Sequence, residues 1–224
     1  TTGGRSHADQ YEQVSYAGDS VGFDDRWKGD LFADLDPALL ASQYAAGGAS
    51  CLSVLTDEAW FGGSVADLQA ARGAVDLPVL RKDFTVSELD VVDARLMGAD
   101  CVLLIAAALD DAELGDFHRL ALELGLDALV ETHDEAAVER AMAVGATLIG
   151  VNQRDLITFE VDTERAVRVG RALPDHVVRV AESGVEGQAD AAVLREAGYD
   201  AVLVGEALVR AGDPSAAVAA LRAA

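Results

Sequence analysis

Four segments decide how this chain is read: PVLRKDF (78–84), DALVETH (127–133), TLIGVNQRD (147–155) and VVRVAESG (177–184). Each is a short apolar run ending in a lone charged or amide side chain, and Lys82, Glu131, Asn152 and Glu182 occupy equivalent places in them. A core strand has no packing reason to end in Lys or Glu. A buried parallel strand that delivers a functional group to the mouth of a barrel has a chemical one. Leu80 and Lys82, Leu129 and Glu131, and Val180 and Glu182 are each two residues apart. Each pair therefore shares a strand face, and the polar member points inward with its apolar neighbour.

Outward from these segments a repeat is visible. AAGGASCLSVL (45–55), LMGADCVLLI (96–105), AVGATLIGV (143–151) and EAGYDAVLVG (196–205) each place a helix-ending glycine before a short β-rich run. The copies lie roughly fifty residues apart, the length of two βα units. The other strands fall between them, at 78–82, 127–131 and 177–182. Helical patterns cover 36–47, 64–74, 86–97, 110–124, 134–144, 162–172, 187–197, 206–211 and 214–222. Cap residues open many of them: Asp36 before Pro37, Ser64, Ser87, Asp110, Asp134 and Asp162.

Strands alternating with helices call for a parallel α/β fold, and the repeat favours a (β/α)8 TIM barrel. No GxGxxG follows a strand, so a dinucleotide-binding doubly wound sheet lacks support. The eighth strand, first in the chain, has to come from residues 11–29, YEQVSYAGDSVGFDDRWKG, which is an atypical and weak strand. Residues 1–10 read as disordered, leaving 11–224 as one barrel domain.

The 224 residues are 51% apolar and carry 39 acidic against 17 basic side chains, a formal charge of −22. That charge argues against nucleic acid or an anionic membrane surface as partner. No apolar run is long enough to span a bilayer, and the N-terminal residues lack the pattern of a secretory signal. The two cysteines, Cys51 and Cys101, read as small buried residues of a reducing, cytoplasmic environment. The four histidines show no metal-ligand spacing, and His133 is expected to point away from the interior. No cofactor or metal is called for, and a monomer or weak homo-oligomer is the expected state.

In an eight-stranded barrel, alternate strands feed one interior layer. Lys82, Glu131 and Glu182, on the third, fifth and seventh strands, therefore converge. Carboxylate neighbours keep Lys82 protonated as a general acid, and a glutamate in a dry mouth is a suitable base. Asn152 ends the sixth strand, where an amide can orient a substrate hydroxyl or amine, or simply close a turn. Arg154 is placed either to screen a substrate carboxylate or to pair with a neighbouring acid. The last two strands end in Ser183-Gly184 and Gly205-Glu206, where barrels often seat phosphate on backbone N–H groups. Phe61 and Phe84 can wall an aromatic substrate or cap the rim, and Leu103 reads as core.

SVLTDEAWFGGS, PVLRKDF, GADCVLLI, ALVETHDE, LIGVNQRDL, VAESGV and AVLVGEALVR together resemble the indole-3-glycerol phosphate synthase family, from about Asp34 to the C-terminus. The resemblance implies a (β/α)8 barrel and a lyase of tryptophan biosynthesis. Such an enzyme closes the indole ring of an anthranilate-derived ribulose phosphate, losing CO2 and water. It implies Lys82 as general acid, Glu131 as base, and Asn152 and Glu182 as groups that position and polarise the substrate. Phe61, Phe84 and Leu103 match apolar walls around the aromatic ring, and Arg154 matches the family's loop arginine. Ser183, Gly184, Gly205 and Glu206 lie where the family binds phosphate, the last at a position that is often Ser. No cofactor is implied.

The pattern departs at the first strand, where the family carries E-x-K-R-x-S-P-S-K-G. The nearest alignment here is SVGFDDRWKG (20–29), which places Ser20 at the glutamate, Gly22 at the lysine, and Asp25 and Trp27 at the serines. Lys28 or Arg26, or nearby Asp24 and Asp25, are the groups placed to substitute for the missing glutamate and lysine, with Lys28 taken as the one for the substrate carboxylate. Two other functions share this pattern: a divergent paralogue acting on another phosphorylated substrate, and a catalytically silent barrel that binds a phosphorylated metabolite. Retention of Lys82, Glu131, Asn152 and Glu182 argues against silence.

Overall fold

The computed structural model describes residues 35–58, 61–154 and 161–224. Seven strands pair in parallel and in chain order: β1 (Leu52–Leu55), β2 (Val79–Lys82), β3 (Cys101–Ile105), β4 (Asp127–Thr132), β5 (Leu148–Asn152), β6 (Val178–Glu182) and β7 (Ala201–Leu203). Sequential order throughout is the signature of a barrel; a doubly wound sheet reverses direction partway across. Helices alternate with the strands: α1 (Pro37–Gly47), α2 (Val65–Ala74), α3 (Glu88–Met97), α4 (Asp111–Glu123), α5 (Glu135–Ala143), α6 (Thr163–Ala172), α7 (Gln188–Glu196), α8 (Glu206–Val209) and α9 (Pro214–Arg222). The result is a nearly closed (β/α)8 barrel. Among the described residues β1 and β7 are the two edges of the ladder. The expected strand at 11–29, the expected disorder of 1–10, and Lys28 lie outside the described residues.

Local chemistry sets the element boundaries. Asp36, Ser64, Ser87, Asp110, Asp134 and Asp162 each accept a first-turn backbone N–H, as their positions in the sequence predict. The repeated helix-ending glycines, Gly48, Gly98, Gly145 and Gly198, all adopt left-handed backbone, with φ of 89°, 97°, 80° and 95°. A side chain there would be strained, so the glycine marks each place where helix turns back into strand. The repeat has a second element that the spacing alone did not reveal. Asp100 accepts from Val79 N–H and Asp200 from Arg179 N–H, each at 2.9 Å, so these acids satisfy amides at the start of the preceding strands. An unanticipated 3-10 turn at Ala106–Ala108 follows β3. It is braced by Arg140, whose guanidinium donates to the carbonyls of Ala106 and Leu109 at 2.6 Å.

The strands are apolar on both faces because both are covered. Val79, Val102, Leu104, Val130, Ile149, Val151 and Ala181 pack against the helices. Leu80, Leu103, Leu129 and Val180 form a separate cluster inside the barrel. That inner cluster lies one strand step below Lys82, Glu131 and Glu182, as parity requires. Outside, α9 packs on α1, and Gly47 admits the approach because a Cβ there would collide with the Ser215 carbonyl.

Asp110 carries a reciprocal cap with Glu113 on α4, each side chain accepting from the other's backbone N–H. Asp110→Ala is expected to destabilise the fold by about 1 kcal/mol. The measurement is a lower urea midpoint at unchanged slope.

Candidate active site

Lys82, Glu131 and Glu182 leave alternate strands β2, β4 and β6 and meet at the C-terminal mouth. The Lys82 ammonium lies 3.5 Å from Glu131 Oε2 and 3.5 Å from Glu182 Oε2. The carboxylates are 2% and 1% exposed, whereas the lysine side chain is 27% exposed and faces the opening. Asn152, on β5 between the two glutamates, donates from Nδ2 to Glu131 Oε1 at 3.1 Å. Its Oδ1 accepts from Arg154 N–H at 3.0 Å, which fixes which way the amide faces.

The protons distribute unequally. Burial and then the charge of Glu131 push Glu182 from its ordinary 4.5 up to about 8, with Lys82 pulling the other way. Burial alone would also raise Glu131. The Lys82 ammonium, His133 and the Asn152 hydrogen bond outweigh it, and Glu131 is held below the usual carboxylate range. Burial would lower Lys82, but the two glutamates outweigh that and hold it above its ordinary value. At neutral pH the cluster is an ammonium, one carboxylate and one carboxylic acid, which sum to zero charge. Glu182 Oε1 is buried without a hydrogen-bond partner among the described residues. Gly150 makes room for it, since a Cβ there would collide with that oxygen.

The other sequence candidates sit around this centre in distinct ways. Phe61, after β1, and Phe84, after β2, stack with ring centroids 5.7 Å apart and planes 19° apart. Leu103 lies deeper, 2% exposed, in the inner cluster with Leu80, Leu129 and Val180. Ser183 is the one non-glycine among the described residues with positive φ, at 65°, and Gly184 follows at 67°. Gly205 precedes α8, and Glu206 opens that helix with its carboxylate paired to Arg210 at 3.0 Å. Arg154, just after β5, pairs backbone to backbone with Val161 in an antiparallel bridge.

The expectation for His133 is corrected. Its Nε2 lies 3.4 Å from Glu131 Oε1 and its side chain is 15% exposed, so it belongs to the site. The same two-residue step that pairs Leu129 with Glu131 carries His133 to the inner face, which is the signal that should have placed it there. A brace behind β2 was also missed. Arg81 and Asp83, flanking Lys82, form an ion pair at 2.8 Å on the opposite face. Thr56 donates to Asp83 at 2.5 Å and accepts from Arg81 Nε at 3.2 Å, and Asp83 accepts the Phe84 N–H at 2.8 Å. Among the described residues no group of three or more His, Cys, Asp and Glu is placed to hold a metal ion, and no helix is long and apolar enough to cross a membrane.

A family model described as indole-3-glycerol phosphate synthase matches residues 27–221. A protein of that name from Micrococcus luteus is 56% identical over 197 residues, 88% of this chain and 74% of its own length. One from a Nocardioides species is 57% identical over 191 residues, 85% of this chain and 74% of its own length. Among solved structures, a thiamine phosphate pyrophosphorylase from Pyrococcus furiosus superposes with a TM-score of 0.65 at 18% identity, covering 89% of this chain and 91% of that one, which bears on the fold alone.

The raised Glu182 has a consequence for stability. Its folded value exceeds its unfolded one, so between about pH 4.5 and about pH 8 the unfolded chain releases a proton that the fold retains. This group therefore makes stability fall as pH rises through that window and level off above it. Glu182→Gln is expected to remove that slope and to stabilise the protein at the alkaline end by on the order of a few kcal/mol. Denaturant midpoints of both proteins across the range measure it, and parallel profiles would refute the assignment.

Proposed function

The chain belongs to the indole-3-glycerol phosphate synthase family, and we propose that its barrel mouth closes the indole ring of the anthranilate-derived ribulose phosphate with Lys82 as the general acid. It is a carboxy-lyase of tryptophan biosynthesis, acting on a small phosphorylated substrate. The observation that supports the residue roles is the lysine held at 3.5 Å from two buried glutamates of unequal protonation.

The ring carbon that bears the substrate carboxylate attacks the ribulose ketone, and a carbon–carbon bond forms. Lys82 gives a proton to the ketone oxygen as its double bond becomes a hydroxyl. CO2 then leaves, and its bonding electrons restore the aromatic ring. The hydroxyl departs as water with a second proton, for which protonated Glu182 is the donor. Glu131, the ionised member, takes the proton from the carbon next to nitrogen, and the indole double bond forms. Asn152 holds Glu131 in orientation. The stacked pair of Phe61 and Phe84 is assigned as one wall for the aromatic ring, above the floor that Leu103 helps to build.

The phosphate is assigned to the turn of Ser183 and Gly184 together with Gly205, while Glu206 is neutralised by Arg210. A net charge of −22 opposes an anionic substrate at long range, so short-range N–H dipoles must supply the attraction. Arg154 and Lys28 are the cations we assign to the substrate carboxylate. We place the enzyme in the cytoplasm as a monomer or weak homo-oligomer, a setting that suits its free thiols, although Cys51, expected to be buried, is exposed and Cys101 is only partly buried.

Purified protein is to be given the anthranilate-derived ribulose phosphate while indole fluorescence and CO2 release are followed. Turnover is expected, and Lys82→Ala is expected to lower kcat by on the order of 10²–10⁴ with substrate binding retained. Unchanged kcat in Lys82→Ala would refute the mechanism. No turnover by the parent protein, with tight binding of a phosphorylated ligand, would favour a paralogue or a binding barrel.

A further inference from the structure

The residue after Asn152 has no role so far, yet it is one of the largest fully buried polar side chains in the protein. Gln153 is 1% exposed. Its Nε2 donates to the backbone carbonyl of Ser183 at 2.8 Å. Its own backbone is held from three sides. The Gln153 N–H donates to the Glu182 carbonyl at 2.9 Å. The Gln153 carbonyl accepts from Asp162 N–H at 2.9 Å and from Arg165 Nη2 at 3.0 Å. A buried primary amide fixed this firmly is a rigid prop, and what it props is the strained turn at the end of β6.

Ser183 has φ of 65° and Gly184 φ of 67°. For a serine that conformation is disfavoured, and it persists only where the surroundings over-determine it. The surroundings do so from two directions. Gln153 grips the Ser183 carbonyl, and Val161 lies so close to Gly184 that a Cβ there would collide with its Cγ1. Both clamps follow β5, and the Arg154–Val161 backbone bridge holds them side by side.

The peptide between Ser183 and Gly184 is trans, so its C=O and N–H point in opposite directions. Anchoring the carbonyl therefore fixes the direction of the Gly184 N–H. We propose that Gln153 is a positioning residue for phosphate recognition: by holding the Ser183 carbonyl it aims the Gly184 N–H and keeps the left-handed turn formed before substrate arrives. This rests on the reading that the Ser183-Gly184 turn seats the substrate phosphate. The Gln153 side-chain amide bonds the Ser183 carbonyl and its backbone meets Glu182 at the main-chain carbonyl, not at the carboxyl that gives the proton, so its contribution falls on affinity for the phosphate and not on the chemical step.

The test compares Gln153→Leu, which keeps most of the volume and deletes the donor, with the parent protein. KM for the phosphorylated substrate and the inhibition constant of inorganic phosphate are expected to rise together by roughly ten-fold. kcat is expected to stay within about three-fold. A merely structural role would lower the active fraction, and so kcat, while leaving both constants unmoved; that result overturns the proposal. Gln153→Asn keeps the amide but withdraws it by one methylene. It is expected to shift both constants in the same direction by less, and it decides the matter if the leucine variant does not fold. Gly184→Ala separates the premise from the inference. If it weakens phosphate inhibition while the Gln153 variants do not, the turn is the phosphate seat and Gln153 does not position it. If it leaves phosphate inhibition unchanged, the phosphate reading of the turn fails and the proposal falls with it.

Discussion

One ammonium between two buried carboxyl groups sets the terms for the rest of this barrel. Two ionised carboxylates this deep, with one lysine between them, would leave a net negative charge away from water, and desolvation makes that state expensive. The arrangement resolves it with a proton. Glu182 keeps one up to about pH 8, Glu131 stays ionised, and Lys82 stays charged. The asymmetry between two chemically identical side chains comes from their neighbours. Glu131 receives the Asn152 amide and faces His133, while Glu182 Oε1 lies against the bare backbone of Gly150 without a hydrogen-bond partner among the described residues. Environment thus assigns one carboxyl to accept a proton and the other to give one.

That division needs geometry held to a fraction of an ångström, and the strand tips provide it in pairs. On β2, Lys82 points in while Arg81 and Asp83 point out. The outward pair contributes little net stability as a buried salt bridge, because desolvation offsets most of its attraction. Its value is directional. Asp83 links the end of β1 through Thr56, the next residue through the Phe84 N–H, and β2 itself through Arg81. One carboxylate therefore steadies both loops that bring the stacked Phe61 and Phe84 rings together.

Much of this was legible in the sequence because it obeys short-range rules. Helix starts followed from Asp and Ser caps, the turns back into strand from Gly48, Gly98, Gly145 and Gly198, and the convergence of Lys82, Glu131 and Glu182 from a period of two. The same period, applied one step further, places His133 inside; the expectation failed where the rule was not carried past the strand's polar end. Gln153 and the Arg81–Asp83 brace were illegible for a different reason. Their partners, Ser183 and Thr56, follow other strands, and no local pattern reports which carbonyl a buried amide will meet. The expected first strand, where the sequence departs from the family motif, falls outside the described residues, and with it Lys28.

Under the proposed phosphate reading, the ends of β5 and β6 give a barrel of this charge a way to hold that anion without spending cations on it. With 39 acidic and 17 basic side chains, a cluster of lysines at the proposed phosphate seat would be drawn into pairs with nearby carboxylates, as Arg210 is with Glu206. Backbone N–H groups cannot be neutralised in this way, because their dipoles are fixed by the fold and carry no mobile partner. They must, however, be aimed, and a left-handed Ser183 will not hold its direction unaided. Aiming calls for an uncharged, buried donor that no surface acid can reach. A glutamine amide 1% exposed, just past the end of β5 and beside the turn, meets that requirement where a lysine or arginine would not.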